Sequence, residues 1–257
     1  MYKLDQIRNK ILQGDAIQIL KKIPNESIDL VITDPPYKIS QKEKKIVRNL
    51  AHYKWKRKSD IELDFGGWDR QWKTDKEYFL WVEAWFKEIV RILKKGSWLY
   101  IFFDKQKIGI FDLWLAPKYN LKSRTIFTWV KTNPVPSFRK VNWNSGTEFI
   151  WVGSKGNGKI KNFLRQKEMS NYFLYPNASA WKKTNHPTEK PEKLIEKIIL
   201  TNSNQKEIIL DPFMGSGVTG VVAKKLGRDF IGIELNSKYV EMARKWINSI
   251  PKPLLLI

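Results

Sequence analysis

Apolar positions along the chain fall into two periods that alternate. Ile28–Thr33 (IDLVIT) is a short apolar run that stops at a turn, the pattern of a strand buried on both faces. Thr74 and Glu77 form a Ser/Thr-x-x-Glu capping box, and behind it Phe79, Val82, Trp85, Phe86, Ile89, Ile92 and Leu93 recur at helical spacing. That helix is expected to close at Gly96. Residues 98–103 (WLYIFF) predict a second buried strand, followed by a helix near 106–115 and strands near 125–130 and 148–152. Farther on come a helix near 191–200, a strand at 207–210, a helix near 218–226, a strand at 231–234 and a closing helix at 237–247. Strands that alternate with helices predict an α/β fold, a mostly parallel sheet with helices on both faces.

Two stretches break this rhythm. Residues 38–57 carry eight basic side chains against one acid, Glu43, with Tyr53 and Trp55 among them. Residues 133–185 are long, basic and aromatic, with little periodicity. Loops of such length inside a compact domain are usually functional or mobile; a solvated surface excursion is the alternative.

Charge sharpens the picture. Forty-seven Lys and Arg oppose 26 Asp and Glu, a net charge of +21. A chain this basic is drawn to polyanions, of which nucleic acid is the commonest, although lysine-rich proteomes also yield basic enzymes without that role. The sequence has no cysteine, which excludes disulfides, thiol catalysis and zinc–thiolate sites. His52 and His186 are its only histidines, too few for a histidine-based metal site. Neither a signal peptide nor an apolar run of about 20 residues is evident, so a soluble, intracellular protein without membrane contact is expected.

The sharpest chemical signal is Asp34-Pro35-Pro36-Tyr37, directly after the IDLVIT strand. The carboxyl end of a parallel strand is where open α/β sheets bind ligands. Two prolines stiffen the turn and lack N–H groups, and Tyr37 offers a flat π face. An exocyclic amine on a nucleobase is a poor nucleophile because its lone pair is delocalised into the ring. Asp34 and the Pro35 carbonyl could accept its two hydrogens and aim the lone pair at an electrophilic methyl, with Tyr37 stacked on the base. A proline-stiffened turn capped by an aspartate is the structural alternative. The second signal is Asp211-Pro212-Phe213-Met214-Gly215-Ser216-Gly217, placed between a strand and a helix. Its glycines permit a tight turn and close ligand approach. Glu234 ends the next strand 17 residues after Gly217, about the spacing of an acid that accepts hydrogen bonds from ribose hydroxyls. Neither G-x-G-x-x-G nor a phosphate-binding G-x-x-x-x-G-K-[ST] occurs, which points to a nucleoside derivative without a pyrophosphate.

In this order, with DPPY before the glycine turn, the chain resembles the β class of S-adenosylmethionine-dependent DNA amino-methyltransferases. The likeness runs almost end to end: GDAIQILKKIPNESIDLVITDPPY (14–37), FTWVKTNPVPSF (127–138), NHPTEKPEKLIEKII (185–199), DPFMGSG (211–217) and LGRDFIGIE (226–234). The resemblance implies a Rossmann-like methyltransferase fold with circularly permuted motif order. It implies S-adenosylmethionine as cofactor, S-adenosylhomocysteine as product and no metal. Asp34, Pro35, Pro36 and Tyr37 would form the catalytic turn. Asp15 and Asp34 would face the cofactor, Asp211, Phe213, Gly215, Ser216 and Gly217 would line it, and Glu234 would hold its ribose. Thr188 and Lys190 would hold its methionine carboxylate; without the resemblance they read as a helix cap before Pro191 and a surface charge. Asp15 alone would read as a turn residue, and His186 is given no chemistry.

The activity implied by the resemblance is that of a site-specific methyltransferase, which flips its target base out of duplex DNA and methylates N6 of adenine. Nearest to it is N4 of cytosine, which in this family goes more often with serine in place of Asp34. RNA and a protein amide are further substrates to separate, and from other classes a nicotinamide oxidoreductase and a non-catalytic DNA-binding protein. One catalytic domain, 1–257, is expected, with 38–75 as a mobile basic loop and 133–185 as a target-recognition insert. Lys42, Lys44, Lys45, Arg48, Lys54, Lys56, Arg57, Arg139 and Lys140 are the expected DNA contacts. Double-stranded DNA is the implied partner, and the resemblance also suggests a homodimer and a cognate restriction endonuclease, in a prokaryotic cytoplasm.

Overall fold

The computed structural model describes residues 1–38, 71–134, 136, 143–177 and 182–251. Contacts divide the chain into two units, residues 1–35 with 83–257 and residues 36–82, each described by itself.

The larger unit is built on an eight-stranded sheet. In chain order the strands are β1 (Lys10–Gln13), β2 (Ile28–Thr33), β3 (Leu93–Phe103), β4 (Leu121–Lys131), β5 (Thr147–Lys155), β6 (Tyr172–Tyr175), β7 (Ile208–Asp211) and β8 (Asp229–Glu234). They lie in the order β1-β8-β7-β2-β3-β5-β4-β6. The β3–β5 and β5–β4 pairings are antiparallel and all others parallel, so β5 alone runs against the rest. The helices are α1 (Leu4–Ile7), α2 (Ala16–Leu20), α3 (Asp75–Ile92), α4 (Ala116–Lys118), α5 (Glu192–Asn202), α6 (Val218–Lys225) and α7 (Ser237–Ser249). α3 begins in the smaller unit, and its residues from Glu83 on belong to the larger.

β2 is buried along its whole length, as its continuous apolar run requires of a central strand. On one side of it the chain proceeds through α3 to β3. On the other, β7 proceeds through α6 to β8. The direction of winding therefore reverses between β2 and β7, and outside the carboxyl ends of strands at such a reversal is the crevice where open α/β sheets bind ligands. The core beside β3 and β5 is aromatic. Trp85, Phe86, Phe111 and Trp151 are fully buried, with Phe111 stacked on Trp151 at a centroid distance of 5.2 Å. The Trp151 indole N–H donates to Asp112 Oδ1 (2.6 Å) and Ser123 Oγ (3.0 Å), so its polar atom enters the core satisfied.

Two elements depart from expectation. α3 ends at Ile92 rather than near Gly96, because the carbonyls of Arg91 and Ile92 accept from the backbone N–H groups of Glu26 and Ser27 leading into β2. Gly96 instead lies inside β3 at φ +82°, where the β2–β3 register shifts between the pairs Ile28–Leu93 and Leu30–Trp98. The helix expected near 106–115 is displaced toward the C-terminus. Its regular part is a π-helical turn, Phe111–Leu115, running into α4, where Pro117 has no N–H for an α-helical ladder. Among the described residues no helix is long and apolar enough to cross a membrane.

The smaller unit, as far as it is described, is knit around the start of α3. Thr74 Oγ1 accepts from the Glu77 N–H (3.1 Å), and Glu77 accepts from the Lys73 N–H (2.8 Å). Trp72, Tyr78 and Trp81 pack as a ring cluster, with Trp72 and Trp81 4.6 Å apart. The Tyr78 hydroxyl donates to the Pro36 carbonyl at 2.8 Å, and Lys38 pairs with Asp75 at 2.9 Å.

Candidate active site

Strand registers bring the expected residues to one edge of the sheet. Val31 lies opposite Leu210, Asp211 opposite Gly232, and Gln13 opposite Glu234. Asp34 just past β2, Asp211 at the end of β7, Glu234 at the end of β8 and Asp15 just past β1 therefore share the carboxyl rim. Because β5 is reversed, it contributes its first residues to the same rim: Phe149 lies opposite Phe103, the last residue of β3.

The glycine turn is held by backbone bonds and by Glu234. The Met214 N–H donates to the Ile233 carbonyl (2.9 Å), and the Gly215 N–H to Glu234 Oε2 (3.0 Å). Glu234 Oε1 accepts from the Asn236 N–H (2.8 Å). Burial pushes the Glu234 carboxyl above its ordinary range, although these backbone N–H groups favour its charged form. Gly215 and Gly217 sit at φ +49° and +90°, the left-handed region that glycine enters at least cost. A Cβ on Gly217 would come within 2.7 Å of the Ala243 Cβ, so α7 packs directly on the turn. Asp211 is buried; it accepts from Thr219 Oγ1 (2.7 Å) and the Phe213 N–H (3.1 Å). Asp15 is the N-cap of α2 and accepts from the Gln18 N–H at 2.9 Å, which is the turn role.

Segment 182–191 delivers a second set. Its Lys190 is 7 % exposed, not a surface charge, and its ammonium lies between two carboxylates, Asp34 Oδ2 at 2.8 Å and Glu148 Oε2 at 3.0 Å. Lys131 contacts the other Glu148 oxygen at 2.9 Å. Although burial opposes its charge, the Lys190 ammonium is held well above the usual lysine range by Asp34 and Glu148. Burial likewise opposes the Glu148 charge, yet Lys190 and Lys131 hold its carboxyl below the ordinary range. Thr188 does not cap α5, since Pro191 occupies that position. Its N–H instead donates to His186 Nδ1 at 3.3 Å, which leaves the neutral ring its hydrogen on Nε2. A Cβ on Gly215 would lie 2.9 Å from that Nε2, so His186 wedges the glycine turn against the lysine segment. Burial, then the Lys190 and Lys182 ammonium groups, push the imidazole down to about 4.

Asp34, Lys190, Asp211, the glycine turn, Glu234 and Asp15 thus share one rim, and Thr188 joins them through His186. Pro36 and Tyr37 open the smaller unit. Lys42, Lys44, Lys45, Arg48, Lys54, Lys56, Arg57, Arg139 and Lys140 lie outside the described residues. Glu148, Lys131 and His186 are what sequence reasoning missed. An acid opening an otherwise apolar strand, Glu148 in TEFIWV, was the available signal for the first. Glycines that admit a ligand backbone-close, a carboxylate suited to a ribose diol and a buried ammonium form a donor set that fits a nucleoside cofactor with an amino-acid tail.

An open, mostly parallel sheet with a glycine turn and an acid–proline turn on the same rim defines an α/β enzyme that binds a nucleoside cofactor. Residues 28–245 match the DNA methylase family N6_N4_Mtase, and the chain belongs to that family. It is 35% identical to the Type II methyltransferase M.HinfI of Haemophilus influenzae, over 97% of this chain and 71% of that protein. To the DNA adenine methyltransferase YhdJ of Escherichia coli (strain K12) it is 32% identical, over 90% of this chain and 80% of that one. The crystal structure of the M1.HpyAVI–SAM complex superposes with a TM-score of 0.69 at 28% identity, covering 93% of this chain and 98% of the other.

Proposed function

We propose that this protein is a site-specific, S-adenosylmethionine-dependent DNA methyltransferase that methylates N6 of adenine in duplex DNA. The observation that carries this reading is the Asp34 carboxylate at the switch point of the sheet, on the same rim as the glycine turn and Glu234. When bound, S-adenosylmethionine supplies an electrophilic methyl group on a sulfonium. The chain's own residues hold and aim. The glycine turn and Glu234 receive the nucleoside, while Thr188 and Lys190 receive the methionine end. Asp34 and the Pro35 carbonyl accept the two N–H hydrogens of the target amine and turn its lone pair toward the methyl. Tyr37 stacks on the base, which must leave the helix to reach the crevice. The nitrogen would gain the methyl as the sulfonium–methyl bond breaks, leaving the thioether S-adenosylhomocysteine, and would release one proton to solvent.

Within this reading residues 38–75 close over DNA, and 133–185 select the target sequence. An intracellular enzyme is implied, and the Type II name of M.HinfI supports a companion endonuclease; a homodimer is inferred from family resemblance alone. Nucleosides from duplex DNA treated with protein and labelled cofactor, separated by mass spectrometry, test the chemistry. N6-methyladenine is expected, and Asp34→Ala should lower its formation by on the order of a hundredfold or more while the protein stays folded. N4-methylcytosine as the sole product would overturn the choice of base. A near-normal rate in Asp34→Ala would overturn the role of Asp34.

A further inference from the structure

Four charges of alternating sign run into the crevice: Lys131, Glu148, Lys190 and Asp34, with successive contacts of 2.9, 3.0 and 2.8 Å. Lys131 and Glu148 stand on neighbouring antiparallel strands, Lys190 on segment 182–191 and Asp34 at the end of β2. The Lys190 ammonium is the buried member, with the Phe102 ring 5.1 Å away on β3. A desolvated ammonium must satisfy its charge inside the protein, and it draws most strongly on whichever anion stands closest.

We propose that Glu148 is a positioning residue for methyl transfer: it shares the Lys190 ammonium with Asp34 and so keeps the Asp34 carboxylate a competent acceptor for the target amine. This rests on the proposed role of Asp34. A carboxylate whose electron density is committed to one buried ammonium accepts poorly from a weak donor such as a nucleobase amine. With Glu148 present, a second carboxylate 3.0 Å from the ammonium offsets its field on Asp34. Glu148 is itself fixed by Lys131 on its other oxygen and by β5, which is paired on both sides. The arrangement therefore sets where Lys190 stands before any ligand arrives.

Two substitutions pull the chain in opposite directions. Glu148→Gln leaves Lys190 with Asp34 alone among these anions, and the single-turnover rate of methyl transfer should fall on the order of 10–100-fold, the scale of a misplaced catalytic group. Cofactor affinity, measured by calorimetry without DNA, should fall by no more than about threefold, because Lys190, which faces the methionine end, keeps its charge and loses only a competing anion. Lys131→Met frees Glu148 to hold Lys190 more tightly, and its rate should change by less than about threefold, within ordinary context effects. An unchanged rate in Glu148→Gln overturns the proposal, as does a tenfold loss of cofactor affinity in that variant. A rate loss shared equally by both variants would mark the chain as a fold-stabilising ion network and overturn it as well. Should Glu148→Gln fail to fold, Glu148→Asp, which keeps the charge but shortens its reach to Lys190, takes its place: a slower transfer with cofactor affinity kept is expected, and an unchanged rate overturns the proposal. A wild-type protein that methylates DNA normally while Asp34→Ala is equally active defeats the Asp34 role itself, an outcome distinct from a silent Glu148→Gln.

Discussion

Burial pushes the Asp211 carboxyl up to about 7, against the hydrogen bonds from Thr219 and Phe213, with Asp34 and Glu234 adding repulsion. A carboxyl raised above its ordinary value of 3.8 binds its proton more tightly in the folded state. The stability it contributes is full below 3.8 and is lost as pH rises through about 7. Asp211→Asn, which stays neutral, should therefore gain on the wild type by about 2 kcal/mol between pH 5 and pH 8, read from urea denaturation. Parallel pH profiles for the two proteins would refute the assignment. His186 has the opposite sign. Its imidazole is depressed from 6.5 to about 4, so the stability it contributes is present above 6.5 and lost as pH falls through about 4. One crevice thus loses stability from the acid side through the imidazole and from the neutral side through the carboxyl.

At the scale of elements, the strands and helices that build the crevice were legible from periodicity. IDLVIT, WLYIFF and EIIL carry enough apolar side chains to be read as buried strands, and the capping box of Thr74 and Glu77 marks the start of α3. β1 and β6 were not legible, because each has four residues and a mixed burial pattern, and their identity as strands comes from pairing with β8 and β4. The glycine turn was legible as a motif, yet the reason for one of its glycines lies across the fold in His186, which no local pattern announces. The same holds for Glu148, whose partner Lys190 stands 42 residues away along the chain. Two glycines separate conformational strain from crowding. Gly96, at φ +82° with open space around a Cβ, should lose about 1–2 kcal/mol on substitution by Ala and keep full cofactor affinity. Gly215→Ala meets the same kind of strain at φ +49° and also drives a methyl into the buried His186 ring, so the turn must shift and cofactor affinity should fall at least tenfold. Denaturation with calorimetry on both variants checks this, and equal effects at the two positions would contradict it.

For the whole molecule, charge is the dominant fact. A net +21 far exceeds what the crevice employs, and the phosphates of a duplex are the matching surface. Lys42, Lys44 and Lys45, outside the described residues, belong to the 38–57 stretch that comes after Asp34-Pro35-Pro36-Tyr37. If they meet phosphates, neutralising all three should flatten the log–log salt dependence of DNA binding by roughly three units and leave cofactor binding unchanged. Fluorescence titrations at several salt concentrations measure the slope, and an unaltered slope would remove these lysines from the interface. The reversed strand carries one consequence at this scale. Val130 on β4 and Thr147 on β5 are register partners, and the Lys131 N–H donates to the Gly146 carbonyl at 2.7 Å, so the intervening segment leaves and re-enters the sheet through a narrow neck at the carboxyl rim. Lengthening a loop anchored at such a neck costs little entropy and disturbs no pairing below it. If the segment between these strands selects the target, as proposed, the vocabulary of target sites can drift, shrink or be grafted at this neck while the methylating grammar, spelled out on the strands beneath, goes on unaltered.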